Sequence, residues 1–335
     1  MVRVGIVGLG FMGKTHYEAY EKIDGARVVA IADADAKRAG GDLSGVWGNI
    51  GKGRPAQLPM DRIKGMTDYR EMLAMDEVDV VDICLPTPAH KEAAIAALTS
   101  GKHVLIEKPL ARTSGDAQQI ADAAANAEGL FMPAMCMRFW PQWAWLKQAV
   151  SDGRYGKVLA ATFRRMASMP PGWFHNGQMS GGALLDVHIH DTDFVYYLFG
   201  KPNAVSSRGY SKTTSEIDHV LTQYIYDEVP VVYAEGGWCL SDGSGFTMRY
   251  TVNFENATAD FDISRPDPLI VSRNGKRESI ACDGGDGYLN ELRYFVSCVQ
   301  DNHKPNTVTA QDAVESIRIV EAEGASVPSG RPVTL

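Results

Sequence analysis

Val2-Arg3-Val4-Gly5-Ile6-Val7-Gly8-Leu9-Gly10-Phe11-Met12-Gly13 opens the chain and decides the first fold reading. The run from Val2 to Val7 is apolar and β-branched, as expected of a strand in a parallel sheet covered on both faces. Gly8, Gly10 and Gly13 follow as G-x-G-x-x-G and lead into a helical stretch, Met12 to Ile23. The first glycine permits the tight turn, the second lets backbone approach a pyrophosphate, and the third lets helix and strand pack closely. The helix start, at Phe11 and Met12, offers unpaired N–H groups to phosphate oxygens. A second apolar run, Arg27 to Ala32, ends at Asp33, whose carboxylate would accept from the adenosine ribose hydroxyls and repel a 2′-phosphate. The implied ligand is NAD rather than NADP. Lys37 and Arg38 lie close enough to soften that preference.

Outward from this stretch, Val78 to Leu85 and His103 to Ile106 read as further buried strands, and Tyr69 to Met75, Lys91 to Ser100 and Ser114 to Ala127 as helices. Alternating strands and helices imply right-handed crossovers and a doubly wound α/β Rossmann sheet. Gly40 to Met66, rich in Gly and Pro, reads as a long loop with room for one short helix and receives no role. After about Pro133 the pattern changes. A helix at Gln142 to Val150, a strand at Val158 to Arg165, a Pro/Gly loop at Met169 to Gly177 and a helix at Ala183 to Phe199 come first. Alternating runs follow at Ala204 to Tyr210, His219 to Tyr226, Val231 to Trp238, Thr247 to Phe254, Thr258 to Ile263 and Leu269 to Ser272, before helices at Tyr288 to Gln300 and Ala310 to Ala322. Successive strands with short turns predict an α+β unit with a large, mainly antiparallel open sheet. The expected domains are 1–133 for NAD(P) binding and 134–335 for substrate binding and oligomerisation.

A length of 335 residues suits two domains, and 45% hydrophobic with 22% charged residues suits a soluble globular protein. The charge of −8, with no basic stripe, argues against nucleic-acid or anionic-membrane surfaces and leaves small molecules as partners. Cys84, Cys136, Cys239, Cys282 and Cys298 show no C-x-x-C spacing, which fits a reducing cytoplasm without disulfides or structural zinc. No apolar run approaches the roughly 18 residues of a membrane helix. No spacing of His, Cys and acids suggests a metal; His188 and His190 are not an i, i+4 pair.

Three further motifs complete the pattern: Val81-Asp82-Ile83-Cys84-Leu85-Pro86-Thr87-Pro88 with His90, Gly101-Lys102-His103-Val104-Leu105-Ile106-Glu107-Lys108-Pro109, and Gly181-Gly182-Ala183-Leu184-Leu185-Asp186 followed by His190 and Asp193. With the glycines, they make the chain resemble the Gfo/Idh/MocA oxidoreductases, inositol dehydrogenase-like members included, over nearly its whole length. The resemblance implies NAD(P)-dependent action on sugars, inositols or related polyols, with Lys108, Asp186 and His190 at the catalytic positions. It also implies that Leu85, Thr87, Pro88 and His90 pass beside the nicotinamide half of the cofactor, a simple turn being the competing reading, with Glu107 and Lys108 nearby.

Alcohol oxidation needs a base for the hydroxyl proton and a cation or donor near its oxygen. His190, with an ordinary pKa of about 6.5, suits the base. Asp186, four residues earlier on the expected helix, shares its face and suits a substrate hydroxyl and partial orientation of the ring. Lys108 follows a strand whose end should border the cofactor crevice, where its amine would polarise the reacting oxygen; Glu107 and Pro109 position it, and the Lys108–Pro109 peptide is open to either isomer. Lys108 and His190 are thus expected to meet over the nicotinamide. His188 reads as a packing or supporting histidine. Asp193 either orients His190 or stabilises the helix start. Arg138, Trp140, Trp173 and Phe174 are candidates to line the substrate pocket, with core packing an equal reading for Trp140. Two other functions stay open: an NAD-using glycosidase or lyase with transient hydride transfer, and a non-catalytic sugar or dinucleotide sensor. Apolar residues on both faces of the second sheet imply a homodimer or homotetramer.

Overall fold

The computed structural model describes residues 1–46 and 56–335; part of the expected 40–66 loop, residues 47–55, lies outside them. Backbone contacts divide the chain into two units, residues 1–139 with 285–314, and 140–284 with 315–335.

The first unit begins with β1 (Val2–Val7), α1 (Phe11–Tyr20), β2 (Ala26–Ala32), α2 (Ala36–Ala39), β3 (Lys64–Met66) and α3 (Tyr69–Leu73). It continues with β4 (Val80–Ile83), α4 (His90–Thr99), β5 (His103–Glu107), α5 (Ser114–Ala125) and β6 (Phe131–Ala134). The six strands run in the order β3-β2-β1-β4-β5-β6 with every pairing parallel. This is the doubly wound arrangement, whose order reverses between β1 and β4 and leaves a crevice at their carboxyl ends. Val4, Ile6, Ile83, Val104 and Ile106 are completely buried, as the unbroken apolar runs predict. The edge strands β3 and β6 escape the sequence reading because β3 is three residues long, while β6 carries Pro133, tolerated only where no ladder N–H is needed.

The second unit contains α6 (Pro141–Ser151), β7 (Val158–Ser168), α7 (Gly177–Ser180), α8 (Ile189–Phe199), β8 (Ala204–Tyr210), β9 (His219–Ile225), β10 (Val231–Leu240), β11 (Thr247–Phe254), β12 (Thr258–Asp262), β13 (Leu269–Arg273) and β14 (Lys276–Ser279). The chain then supplies α9 (Gly287–Gln300), which belongs to the first unit, α10 (Ala310–Ser329) and β15 (Val333–Thr334). The nine-stranded sheet is ordered β14-β13-β12-β11-β7-β10-β9-β8-β15 and is antiparallel except between β7 and β10. Along β11, Met248, Tyr250, Val252 and Phe254 are buried while Arg249 and Asn253 are exposed, the alternation of a sheet with one covered face. Trp143 of α6 fills that face, edge-on to Phe194 at 4.7 Å and to Tyr250 at 5.4 Å.

One element departs from expectation. The helix expected unbroken from Ala183 opens instead with a π turn at Leu184–His188, and α8 starts only at Ile189. Gly181 and Gly182 enter it with φ of 81° and 70°, and a Cβ on Gly182 would lie 2.6 Å from the Ile217 carbonyl oxygen. The chain can therefore press against the entry to β9, where Leu184 N–H donates to Ile217 O at 3.1 Å. That bond occupies an N–H at the helix start and accompanies the wider turn.

Candidate functional site

The glycine loop has the shape a dinucleotide needs. Gly8 has φ of 90°, and a Cβ there would lie 2.7 Å from Cys84 O; a Cβ on Gly13 would lie 1.9 Å from Gly8 O. Those two glycines are required by the protein's own packing. Gly10 differs, for nothing lies within 4 Å of the place its Cβ would occupy, so its backbone borders open space. No side chain caps the start of α1, and a helix N-terminus is where an anion is favoured. Asp33, at the end of β2, ties this loop down: its Oδ2 accepts from Leu9 N–H at 2.8 Å and its Oδ1 from Asp35 N–H at 2.9 Å. Arg38 lies 3.4 Å from the same carboxylate. The fit to NAD thus rests on an open glycine, a helix start without a side-chain cap and an acid fixed at the end of β2.

Beyond β4, Leu85 is partly exposed, Pro88 exposed and Thr87 buried in a short 3-10 turn, Thr87–Ala89. His90 is 1% exposed; its Nδ1 lies 2.9 Å from Pro109 O and its Nε2 2.8 Å from Leu85 O. Burial holds its pKa below the ordinary imidazole range. Its polar edge is therefore spent joining two loops, rather than turned toward a ligand. Glu107 ends β5, and its Oε2 accepts from the Lys108 N–H at 3.0 Å. Lys108 is partly exposed, and the Lys108–Pro109 peptide is cis.

In the second unit, exposure around the π turn is selective. Asp186, Val187 and His190 are partly accessible, whereas Leu185, His188 and Ile189 are buried. His188 faces inward, with Nε2 3.3 Å from Tyr224 Oη and 3.6 Å from Glu323. It lies against Gly236, where an added Cβ would come within 2.6 Å of the ring. Asp193 is buried and accepts from Ser316 Oγ at 2.9 Å. Next to it, Asp191 is bound by the Arg165 guanidinium, Nε to Oδ2 at 2.9 Å. Burial pushes the Asp191 pKa up, while Arg165 opposes it.

The pocket candidates divide. Trp173 and Phe174 are partly exposed and stacked at 4.2 Å, with Phe174 edge-on to Trp238 at 6.1 Å, so an aromatic surface exists there. Trp140 is partly exposed at the start of α6. Arg138 is 4% exposed, and its guanidinium donates to Thr307 O at 2.9 Å and Asp312 at 3.2 Å, which makes it a tie within the first unit.

The sequence reading misses a buried polar cluster in the first unit. His16 of α1 donates or accepts through Nδ1 at 2.8 Å from Asp82 of β4, and its Nε2 lies 3.0 Å from Glu107. Cys84 Sγ is 3.4 Å from His16 Nδ1, and Glu291 of α9 completes the group. His16, Asp82 and Cys84, and likewise His16, Glu107 and Glu291, are close enough in space to share an ion, a grouping that sequence spacing cannot reveal because four elements supply it. The one available signal is Asp82, an acid inside a continuous apolar strand run. In the first group, a shared proton already explains the short His16–Asp82 contact.

Two family models match the chain: "Oxidoreductase family, NAD-binding Rossmann fold" over residues 2–135 and "GFO/IDH/MocA C-terminal domain" over residues 143–260. A myo-inositol 2-dehydrogenase of Thermotoga maritima is 27% identical, covering 100% of this chain and 98% of that protein. A scyllo-inositol 2-dehydrogenase (NAD(+)) of Bacillus subtilis is 26% identical, covering 100% of this chain and 96% of that one. Among solved structures, a levoglucosan dehydrogenase in complex with NADH and levoglucosan shares the fold, with a TM-score of 0.85 at 23% identity over 99% of each chain.

Proposed function

The chain belongs to the Gfo/Idh/MocA family of NAD(P)-dependent oxidoreductases, and on that premise we propose that it oxidises or reduces a secondary alcohol of a polyol, inositol or sugar. NAD supplies the hydride acceptor or donor when bound at the glycine loop. Lys108 hydrogen-bonds the reacting oxygen and stabilises charge that develops on it. His190 takes the hydroxyl proton or returns it, and Asp186 binds a neighbouring hydroxyl and steadies the ring. The observation that supports this reading is that Asp186 and His190, the two ionisable residues expected to act there, are partly accessible at the π turn, as is Val187, while Leu185, His188 and Ile189 are buried. Inositol dehydrogenases aligned over the whole chain support the substrate class.

Residues 1–133 are proposed to bind the cofactor and 134–335 to bind substrate and a second copy of the chain. Tyr210 at 51% exposure and Leu159 at 45%, both on strands of the nine-stranded sheet, support a dimer or tetramer. No described helix is long and apolar enough to cross a membrane. The test is incubation with NAD and a panel of inositols, sugars and acyclic polyols. Accumulating NADH absorbance with one of them is expected. Product without net NADH would move the protein to transient-redox chemistry, and binding without turnover would make it a sensor.

A further inference from the structure

Three carboxylates, one imidazole, one thiol and one phenol meet in the interior of the first unit. Asp82 comes from β4 and Cys84 from the residue that follows it, Glu107 from the end of β5, Glu291 from α9, and Tyr20 and His16 from α1. His16, Asp82 and Glu291 are all completely buried. Ionising all three acids there against a single imidazolium would leave two uncompensated negative charges out of water, which is prohibitive. The geometry shows where protons reside. His16 stands between two acids, hydrogen-bonded to Asp82 at 2.8 Å and in charge contact with Glu107 at 3.0 Å, where its Nε2 is not aligned for a hydrogen bond; neither oxygen of Glu291 has a hydrogen-bond partner. Burial, followed by the nearby Glu107 charge, pushes the Glu291 pKa well up, so it is the acid that stays neutral. Burial works against charge on His16, but Asp82 and Cys84 outweigh it and its pKa is raised well above the ordinary value. The arrangement is an imidazolium between the carboxylates of Asp82 and Glu107.

The second oxygen of Glu107 gives this cluster a reach toward the chemistry, since it accepts from the Lys108 peptide N–H at 3.0 Å. We propose that His16 is a positioning residue: anchored by Asp82, it holds the Glu107 carboxylate and thereby fixes the backbone from which the Lys108 side chain departs. The inference rests on the reading of Lys108 as the residue that polarises the reacting oxygen. It links the helix that opens at the glycine loop to the strand end that bears the lysine. His16 touches neither substrate nor cofactor in this role. Removing it leaves a buried carboxylate without its cation and loosens its grip on the Lys108 peptide.

The test compares His16→Leu, His16→Gln and Glu107→Gln in the full-length protein, with NAD and the polyol the protein turns over. His16→Leu is expected to lower kcat roughly 10-fold or more, with KM for NAD nearly constant, as displacement of a reacting group does. His16→Gln, which keeps a donor, should recover part of kcat. Glu107→Gln, which perturbs no helix, should lower kcat while the acid limb set by His190 stays in place, and this reading survives even where His16→Leu does not fold. In a Lys108→Ala background, His16→Leu should have little further effect. A folded His16→Leu protein with unmoved kcat overturns the inference while leaving the lysine reading intact. So does additive loss in the Lys108→Ala background, or one metal ion per chain in the purified protein that His16→Leu removes. Full turnover by Lys108→Ala alone would instead overturn the lysine reading, and with it the route from His16.

Discussion

Two histidines in this molecule are equally buried and held in different ways. His16 of the first unit sits among ionisable groups, with acids 2.8 and 3.0 Å from its two nitrogens, of which only the Nδ1 contact is a hydrogen bond. His188 of the second sits beside a phenol at 3.3 Å, has Glu323 at 3.6 Å and lies flat over Gly236, with its Nδ1 lacking a hydrogen-bond partner. His188 lies two positions before His190, and His16 reaches the Lys108 peptide in two contacts, through Glu107. The difference teaches that the two units hold their buried histidines by different physics. The first gathers three acids around its imidazole, and the second packs its imidazole mainly against a phenol and a glycine of neighbouring strands.

The comparison breaks most visibly at His190. His190→Ala is expected to lower kcat by roughly 10²- to 10⁴-fold, the usual contribution of a general acid or base, without altering NAD affinity. Steady-state kinetics beside NAD titration checks this. A matching loss of NAD affinity would mean that the packed turn serves binding rather than proton transfer.

A second break removes charge from the unit described as packed. Asp191 and Arg165 are both essentially buried and joined at 2.9 Å. Asp191→Ala should therefore destabilise by about 3–5 kcal/mol, because it strands the guanidinium. Denaturant unfolding reads it, and a loss below about 1 kcal/mol would show that water reaches Arg165.

Asp218 sharpens the comparison through pH. Burial disfavours its charge, but the Thr214 hydroxyl and the N–H groups of Thr213, Lys212 and Thr214 outweigh this and hold its pKa at about 2. The folded value lies below the ordinary 3.8, so the stabilisation is full above about pH 4 and disappears as pH falls through 2. That shift corresponds to about 2 kcal/mol. Asp218→Asn should cost about that much at pH 7 and flatten the acid side of the stability profile, measured by urea unfolding from pH 2 to 7.

The smallest effect is expected at Glu291. If this acid is neutral, Glu291→Gln replaces one uncharged group by another of similar shape and should change stability by less than about 1 kcal/mol. A loss of several kcal/mol, seen in thermal or chemical unfolding, would mean that the acid is ionised and paired.

Much of this architecture is legible in residue order. Val2 to Val7 with the three glycines, and the run ending at Asp33, specify a parallel nucleotide-binding sheet because continuous burial and required glycine conformations leave few alternatives. Gly10 differs from Gly8 and Gly13 exactly where a ligand rather than protein needs the room. The alternation Met248, Tyr250, Val252, Phe254 likewise marks β11 as a strand with one face on the core. The π turn was hidden, since Leu184 to His188 has an ordinary helical composition and the turn widens only through its bond to Ile217. The cluster around His16 was hidden for a related reason. Residues 16, 82, 107 and 291 meet through tertiary topology, and only the acid inside an apolar strand betrays it. The inward ties of His90 and Arg138 were equally invisible, because residue type gives a side chain's chemistry but not the carbonyls that consume it.

The central claim is that Lys108 polarises the alcohol oxygen during NAD-linked oxidation, and comparing Lys108→Ala with the native chain tests it most directly. NADH formation on the active polyol should fall by roughly 10²- to 10³-fold, the cost of losing one charge-stabilising donor, while NAD binds with nearly native affinity. Native turnover in the variant would contradict the account, and so would a loss of turnover matched by an equal loss of NAD affinity.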